Sequence, residues 1–247
     1  MFAIFKKELR GYFINPIGYI YLGVFLVAAA LICAFTTIQV GSYNTSSYFQ
    51  YLIFVFVVLI PLLTMRLFSE ERKTRTEQLL LTAPVSLTGM VLGKYFAAAV
   101  LFLVGVLISC INFFPLVSYA ITESAAATAD THIGPIGGQV VGCLVGIILV
   151  GAAFIAIGMF VSALTESQLA AAVISIAALF GSVLVGVISA SIDSQGVRMV
   201  LNWISLLSRF DAFAMGMFDF SAILYYVSIA GVFIFLTVRV YDKRRWG

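Results

Sequence analysis

Charge is scarce in this 247-residue chain: Asp, Glu, Lys and Arg together make up 10% of it, against roughly 25% in an average soluble domain. Histidine is scarcer still, with His132 standing alone. A membrane-embedded metalloprotease needs paired His and Glu ligands, so that chemistry is excluded for want of residues. No GxxxxGK[ST] phosphate-binding loop occurs, which excludes ATP binding by that route. The three cysteines, Cys33, Cys110 and Cys143, all lie in apolar stretches without metal-ligand spacing, so they read as small packing residues rather than a disulfide or zinc framework.

What the chain has in abundance is apolar length. Hydrophobic residues reach 62% and the mean hydropathy is +1.12. A helix rises 1.5 Å per residue, so about 20 apolar residues cross a hydrocarbon core of roughly 30 Å. Runs of that order predict six crossings, at 17–38, 49–65, 95–121, 133–164, 169–189 and 221–238. The expected fold class is therefore an all-α integral membrane protein with six transmembrane helices in a single domain. The first run exceeds the 7 to 15 residues of a signal-peptide core and is followed by five more, which argues against a cleaved leader.

Orientation follows from the cations, because Lys and Arg flanking a crossing resist translocation. With both termini cytoplasmic, Lys6, Lys7, Arg10, Arg66, Arg72, Lys73, Arg75, Lys94, Arg239, Lys243, Arg244 and Arg245 stay inside, 12 of the 14. Only Arg198 and Arg209 lie outside. The net charge of +3 thus faces lipid headgroups at helix ends, and no nucleic-acid partner is expected.

The stretch 1–15 places Phe2, Phe5, Leu9, Tyr12 and Phe13 on one helical face and Lys7 and Arg10 on another, the pattern of an interfacial amphipathic helix. It should turn into the first crossing at Asn15-Pro16, as an elbow. Outer connections at 41–48 and 122–132 are short. The outer region 191–220 interleaves Asp193, Arg198, Arg209, Asp211 and Asp219 with apolar pieces, which predicts helices that dip part-way into the membrane before the last crossing. A short tail, 239–247, closes the chain on the cytoplasmic side.

The one substantial cytoplasmic loop is 66–93. Ser69 is expected to cap a short helix, with Glu70 and Glu71 at its positive end and Glu71–Arg75 and Lys73–Glu77 as i, i+4 pairs. The helix turns apolar at Leu79, Leu80 and Leu81 and must break near Pro84. Ser86 then caps the helix that carries Lys94 into the membrane. Three leucines facing the cytosol either receive a partner or lie back on the bilayer, and residue chemistry leaves both readings open.

Inside the crossings no Asp, Glu, Arg or His is found, which speaks against a proton- or ion-coupled transporter. The polar groups there include Thr36, Thr37, Gln39, Ser109, Asn112, Ser162 and Ser175, expected to bond neighbouring helices. Asn112 and Pro115 stand apart, since a proline within a crossing frees a carbonyl that an amide nearby can help to serve, and they are the candidates for a polar translocation path. Gly142-xxx-Gly146 offers weak evidence of a close helix contact.

The cytoplasmic loop resembles the signature of ABC-2 type transporter permeases, in which Arg, Phe, a Glu pair, Gly-Thr, Glu, paired leucines and Pro-x-Ser precede a Gly-Lys entering the third helix. Arg66, Phe68, Glu70, Glu71, Thr76, Glu77, Leu79, Leu80, Pro84, Ser86, Gly93 and Lys94 fit it. The segments FKKELRGYFINPIGYIY, SALTESQ, LLSRFDAFAMGMFDF and LTVRVYDKRRW extend the likeness over nearly the whole chain, closest to the branch of gliding-motility-associated and NosY-like permeases.

That resemblance implies the fold of a type V exporter, with a cytoplasmic coupling helix between the second and third crossings and re-entrant outer helices before the sixth. It implies residues Glu70, Glu71, Arg75, Thr76, Glu77, Leu79, Leu80 and Leu81 as the dock for a separate nucleotide-binding ATPase subunit, with Glu166 in a smaller second contact. It also implies a second permease copy or paralogue, ATP and Mg held by the partner rather than by this chain, no catalytic residues here, and residence in the bacterial cytoplasmic (inner) membrane. One departure is Arg75, which stands where the family often has glycine; it is expected either to straighten the helix or to alter its contact with the partner. Two other readings are a membrane anchor or mechanical signalling subunit driven by ATPase strokes, and an ATP-independent channel.

Overall fold

A computed structural model describes residues 1–39, 45–76, 86–115, 117–118, 137–192 and 194–246, and among these residues the regular structure is entirely helical. The chain opens with α1 (Phe2–Ile14), stops at Asn15 in extended geometry, and restarts as α2 (Pro16–Cys33) with Pro16 in its first turn. Proline suits that place because its missing N–H would have no partner at a helix start. The elbow expected at Asn15-Pro16 is therefore present. It is tight: a side chain at Gly18 would run into the Tyr12 carbonyl. The last turn of the first crossing widens into a π-helix, Ala34–Ile38.

The remaining elements are α3 (Thr45–Thr64), α4 (Arg66–Lys73), α5 (Leu87–Ser109) with a 3₁₀ turn at Cys110–Asn112, α6 (Gly137–Leu164), α7 (Gln168–Ala190), α8 (Gln195–Ile204), α9 (Leu206–Ala214) and α10 (Phe220–Trp246). Among the described residues, six helical stretches are long and apolar enough to span a membrane: Pro16–Ile38, Ser46–Lys73, Leu87–Pro115, Gly138–Leu164, Gln168–Ser189 and Phe220–Arg245. Several exceed the apolar runs that announce them. The third helix begins at Leu87, eight residues ahead of Tyr95, because Ser86 accepts a hydrogen bond from the Gly89 amide and caps it there. The last continues through the charged tail to Trp246, where Lys243, Arg244 and Arg245 suit the negative end of a helix.

α6 is the central post. It packs on α3, α4, α5, α7, α9 and α10, and its residues from Cys143 to Ala163 supply much of the core. Glycine permits the approach: at Gly151 an added methyl would strike the Phe102 ring. In a bilayer, where lipid is as apolar as leucine, such close backbone packing is what holds helices together. Gly142 and Gly146 act likewise, facing the Phe213 carbonyl and the Phe210 ring of α9. The spacing that was weak evidence in the sequence is a real helix contact.

α8 and α9 lie at the end of the bundle remote from both termini, α8 packed on α7 and α9 set among α3, α6, α7 and α10. α9 buries Leu206, Phe210, Phe213 and Ala214. Tyr226 donates to the Leu206 carbonyl at 2.5 Å, and Gln139 donates to the Ala214 carbonyl at 2.8 Å. α9 ends in a Schellman turn: Met217 N–H bonds the Ala212 carbonyl and Gly216 N–H that of Phe213, with Gly216 left-handed at φ 75°.

Most of the intramembrane hydroxyls do not reach across helices as expected. Thr36 and Ser109 bond carbonyls of their own helix, at Ile32 and Val106, the usual local solution for a hydroxyl in apolar surroundings. Thr37 and Ser175 are buried without a hydrogen-bond partner. Ser162 is the exception, described below. Asn112 reaches across, donating to the Tyr48 hydroxyl at 3.4 Å, while its carbonyl faces the Cys33 thiol at 3.7 Å. Pro115 follows, half-buried, in the helical residues 113–115.

Candidate functional site

At the end of the bundle that carries both termini, α1, α4, the start of α5, the 165–167 connection and the end of α10 converge. α4 sets the geometry. The chain leaves α3 at Met65 and resumes as α4 at once, so the first amides of the new helix need acceptors. Ser162 of α6 provides one from outside: its Oγ accepts from Phe68 N at 3.2 Å and Ser69 N at 3.3 Å, and donates to the Met65 carbonyl at 3.0 Å. The expected cap, Ser69, lies instead in the middle of α4, fully buried, with its hydroxyl bonded back to the Met65 carbonyl. The reason is that α4 begins three residues earlier than Ser69, and a cap must precede its helix.

Lys94, two turns into α5 and next to Gly93, is 1% exposed. Its Nζ lies 2.8 Å from Glu71 Oε1 of α4 and 3.1 Å from Glu8 Oε1 of α1, donates to the Leu67 carbonyl at 2.6 Å, and sits 5.0 Å from the centre of the Phe68 ring. All three ammonium protons thus find acceptors, which is what a buried charge requires. Lys7 adds a longer contact to Glu71 at 3.9 Å. Gly93 makes room: a methyl there would stand 3.3 Å from the Phe5 amide, so the backbone of α1 crosses α5 at this glycine. The Gly-Lys pair therefore has two physical tasks, close passage of the elbow helix and the pairing of one buried ammonium with two carboxylates. A buried ammonium inside the third helix went unseen in the sequence, where Lys94 stood at the edge of an apolar run.

The pairs expected along α4 are also rearranged. Glu71 turns to Lys94 rather than Arg75, and Glu70 accepts two bonds from Arg66, at 2.6 and 2.8 Å. Arg75 is out of reach of a helical partner because α4 stops at Lys73. Thr74 caps it, Arg75 N–H bonds the Arg72 carbonyl, and Arg75 itself is left-handed at φ 56°. Among described non-glycine residues it alone has positive φ. The helix is ended there, not straightened. Arg75 occupies the position after the cap where glycine is normally found, and Thr76 Oγ1 reaches back to the Glu71 carbonyl at 3.3 Å. Glu77, Leu79, Leu80, Leu81, Pro84 and the Lys73–Glu77 pair fall in 77–85, outside the described residues, as do His132 and Asp193.

The second expected contact is joined to the first. Arg72 bonds the Leu164 carbonyl at 3.1 Å and pairs with Glu166 at 2.8 Å, although Glu166 is 74% exposed. Arg244 of α10 bonds the Ala163 carbonyl at 2.7 Å, and Tyr241 packs on Phe68 with ring centres 4.8 Å apart. Tyr12 of α1 is buried beside Leu63, and burial together with nearby Glu8 pushes its hydroxyl pKa upward. Chemically this is a rigid charged platform. Its buried ions are paired, and it leads directly into residues 77–85 on one side and Glu166 on the other.

A family model described as "ABC-2 family transporter protein" matches residues 34–240. No curated protein matches the chain.

Proposed function

The chain belongs to the ABC-2 transporter family, and from that premise we propose that it is the membrane permease subunit of an exporter driven by a separate nucleotide-binding ATPase. ABC-2 membership and six apolar helices make it a multi-pass membrane component of a transporter. In the proposed arrangement, ATP and Mg are bound by the partner, and this chain catalyses no bond cleavage. Two copies, or this chain and a paralogue, flank the path. The gliding-motility and NosY-like branch is the one whose motifs it most resembles.

The observation that carries the docking assignment is the junction of α1, α4 and α5 at Lys94, together with the Arg72–Glu166 pair. A force applied at Thr76 or at Glu166 enters one connected platform, and that platform is continuous with the second, third and fourth crossings. Most of the chain's cations flank the helix ends on this side, which under the positive-inside rule supports a cytoplasmic position for the platform and both termini. In a bacterium that membrane is the inner one. Asn112 and Pro115, at the far end of α5, remain the proposed contributors to the path.

The test is a pull-down of tagged protein in mild detergent, identifying co-purifying soluble chains and assaying ATP hydrolysis with and without polar replacement of Leu79, Leu80 and Leu81. A co-purifying ATPase lost on that replacement supports the assignment, and substrate movement in vesicles then separates exporter from mechanical anchor. An ATPase that binds equally well without the leucines overturns the docking site.

A further inference from the structure

The two cations that stand apart from the platform, Arg198 and Arg209, line one groove. It lies between α8 and α9, at the end of the bundle remote from the termini, and has a volume of about 510 Å³. Gln195 and Asn202 contribute amides to it. Asn202 is held by two serines: Ser189 and Ser208 donate to its Oδ1 at 2.7 and 3.1 Å. Ser189 also lies 2.7 Å from the Gly186 carbonyl and Ser208 3.0 Å from Ser205 Oγ, so a hydroxyl cluster fixes the Asn202 side chain at the groove.

No carboxylate lines this groove among the described residues. Two described acids of this region are engaged elsewhere: Asp211 accepts from Gln50 at 3.1 Å, and Asp219 accepts from the Ser221 amide at 2.8 Å. Among the described residues Arg209 meets the Ser221 hydroxyl, at 3.5 Å, and the face of Tyr225, at 5.6 Å, which leaves most of its donors unused there. The rim is apolar and open. Met199 is 67% exposed and Trp203 72% exposed.

Two guanidinium forks with no carboxylate among the described lining residues match a phosphate. An exposed tryptophan and methionine beside them match the boundary where acyl chains meet headgroups. A volume of this size suits a small amphiphile's head. We propose that the groove between α8 and α9 binds the headgroup of an anionic phospholipid in the leaflet facing away from the termini, with Arg198, Arg209 and Asn202 on the phosphate and Met199 and Trp203 against the first acyl carbons. This does not depend on the docking assignment.

The chain has two tryptophans, so Trp246→Phe leaves Trp203 as sole reporter. The full-length variant is placed in phosphatidylcholine nanodiscs with about 10 mol % of either brominated phosphatidylglycerol or brominated phosphatidylcholine, and Trp203 quenching is read. Two cations beside a headgroup, at about 1 kcal/mol each, enrich an anionic lipid locally by roughly thirtyfold, so phosphatidylglycerol should half-quench at a correspondingly lower mole fraction. Arg198→Gln with Arg209→Gln should abolish that preference while leaving quenching in wholly brominated phosphatidylcholine unchanged, which shows that Trp203 still sits at the boundary. Lys243→Gln with Arg245→Gln, at the other end, should leave the preference intact. Equal quenching by the two lipids, or a preference that survives the arginine changes, overturns the proposal. So does its loss to inorganic phosphate where chloride of equal ionic strength has no effect, since the site would then serve a soluble anion.

Discussion

Lys94 Nζ and Glu71 Oε1 are 2.8 Å apart, with the lysine sealed from solvent. Their meeting ties the third crossing to the short helix that extends the second. Glu8 joins the same ammonium from the elbow helix. Breaking such a group leaves carboxylates unpaired, whereas replacing all of it with apolar side chains removes both the attraction and its desolvation cost. Lys94→Met should therefore destabilise the protein by about 3 kcal/mol. The triple replacement Lys94→Met, Glu71→Leu, Glu8→Leu should recover most of that loss. Unfolding in detergent, followed by denaturant or heat, measures both. A single variant as stable as the parent would mean that the cluster contributes nothing.

Ser162 serves three backbone groups at the α3–α4 junction. Ser162→Ala removes all three bonds without making a large cavity, and a buried backbone group left unpaired costs about 1–3 kcal/mol. The expected result is a loss in that range, with amide exchange at Phe68 and Ser69 accelerated. Unchanged protection of those two amides would show that another acceptor serves them.

Arg75 is held in a left-handed conformation that costs an L side chain roughly 1–2 kcal/mol and glycine almost nothing. Arg75→Gly should raise stability by about 1 kcal/mol, somewhat less once the greater freedom of glycine in the unfolded chain is counted. It should not weaken ATPase binding if the docking surface begins at Thr76. A stability loss on this change would contradict the backbone geometry, and a loss of binding with stability intact would assign the guanidinium to the partner.

Arg72 and Glu166 pair across the two connections proposed to meet the ATPase. Because Glu166 is largely exposed, the pair should be worth under about 1 kcal/mol to folding. Its value is to keep the two contacts in register. Arg72→Glu should leave unfolding nearly unchanged while lowering ATPase stimulation, and the exchange Arg72→Glu with Glu166→Arg should restore part of it. If the exchange behaves no better than the single change, the register role is wrong.

Much of the fold was readable in the chain. Apolar length announced the crossings, Asn15-Pro16 the elbow, Ser86 the start of the third helix, and the interleaved charges of 191–220 the two short helices there. Each of these signals is local, set by a few neighbouring residues. The candidate platform was readable as a loop with charge and leucines, but its internal pairing was misread: Ser69 is no cap, and Glu71 does not pair with Arg75.

The sequence by itself determined that this protein spans a membrane with helices, which end carries its cations, and which family's loop it bears, because hydrophobic length, charge placement and motif spacing are properties of contiguous residues. Only the tertiary structure decided where α4 begins and what Lys94 is for. Glu8, Glu71 and Lys94 lie far apart in the chain, Ser162 caps a helix more than ninety residues before it, and in the low-dielectric interior a charge or an amide is satisfied by whichever partner packing brings within 3 Å, however distant in sequence.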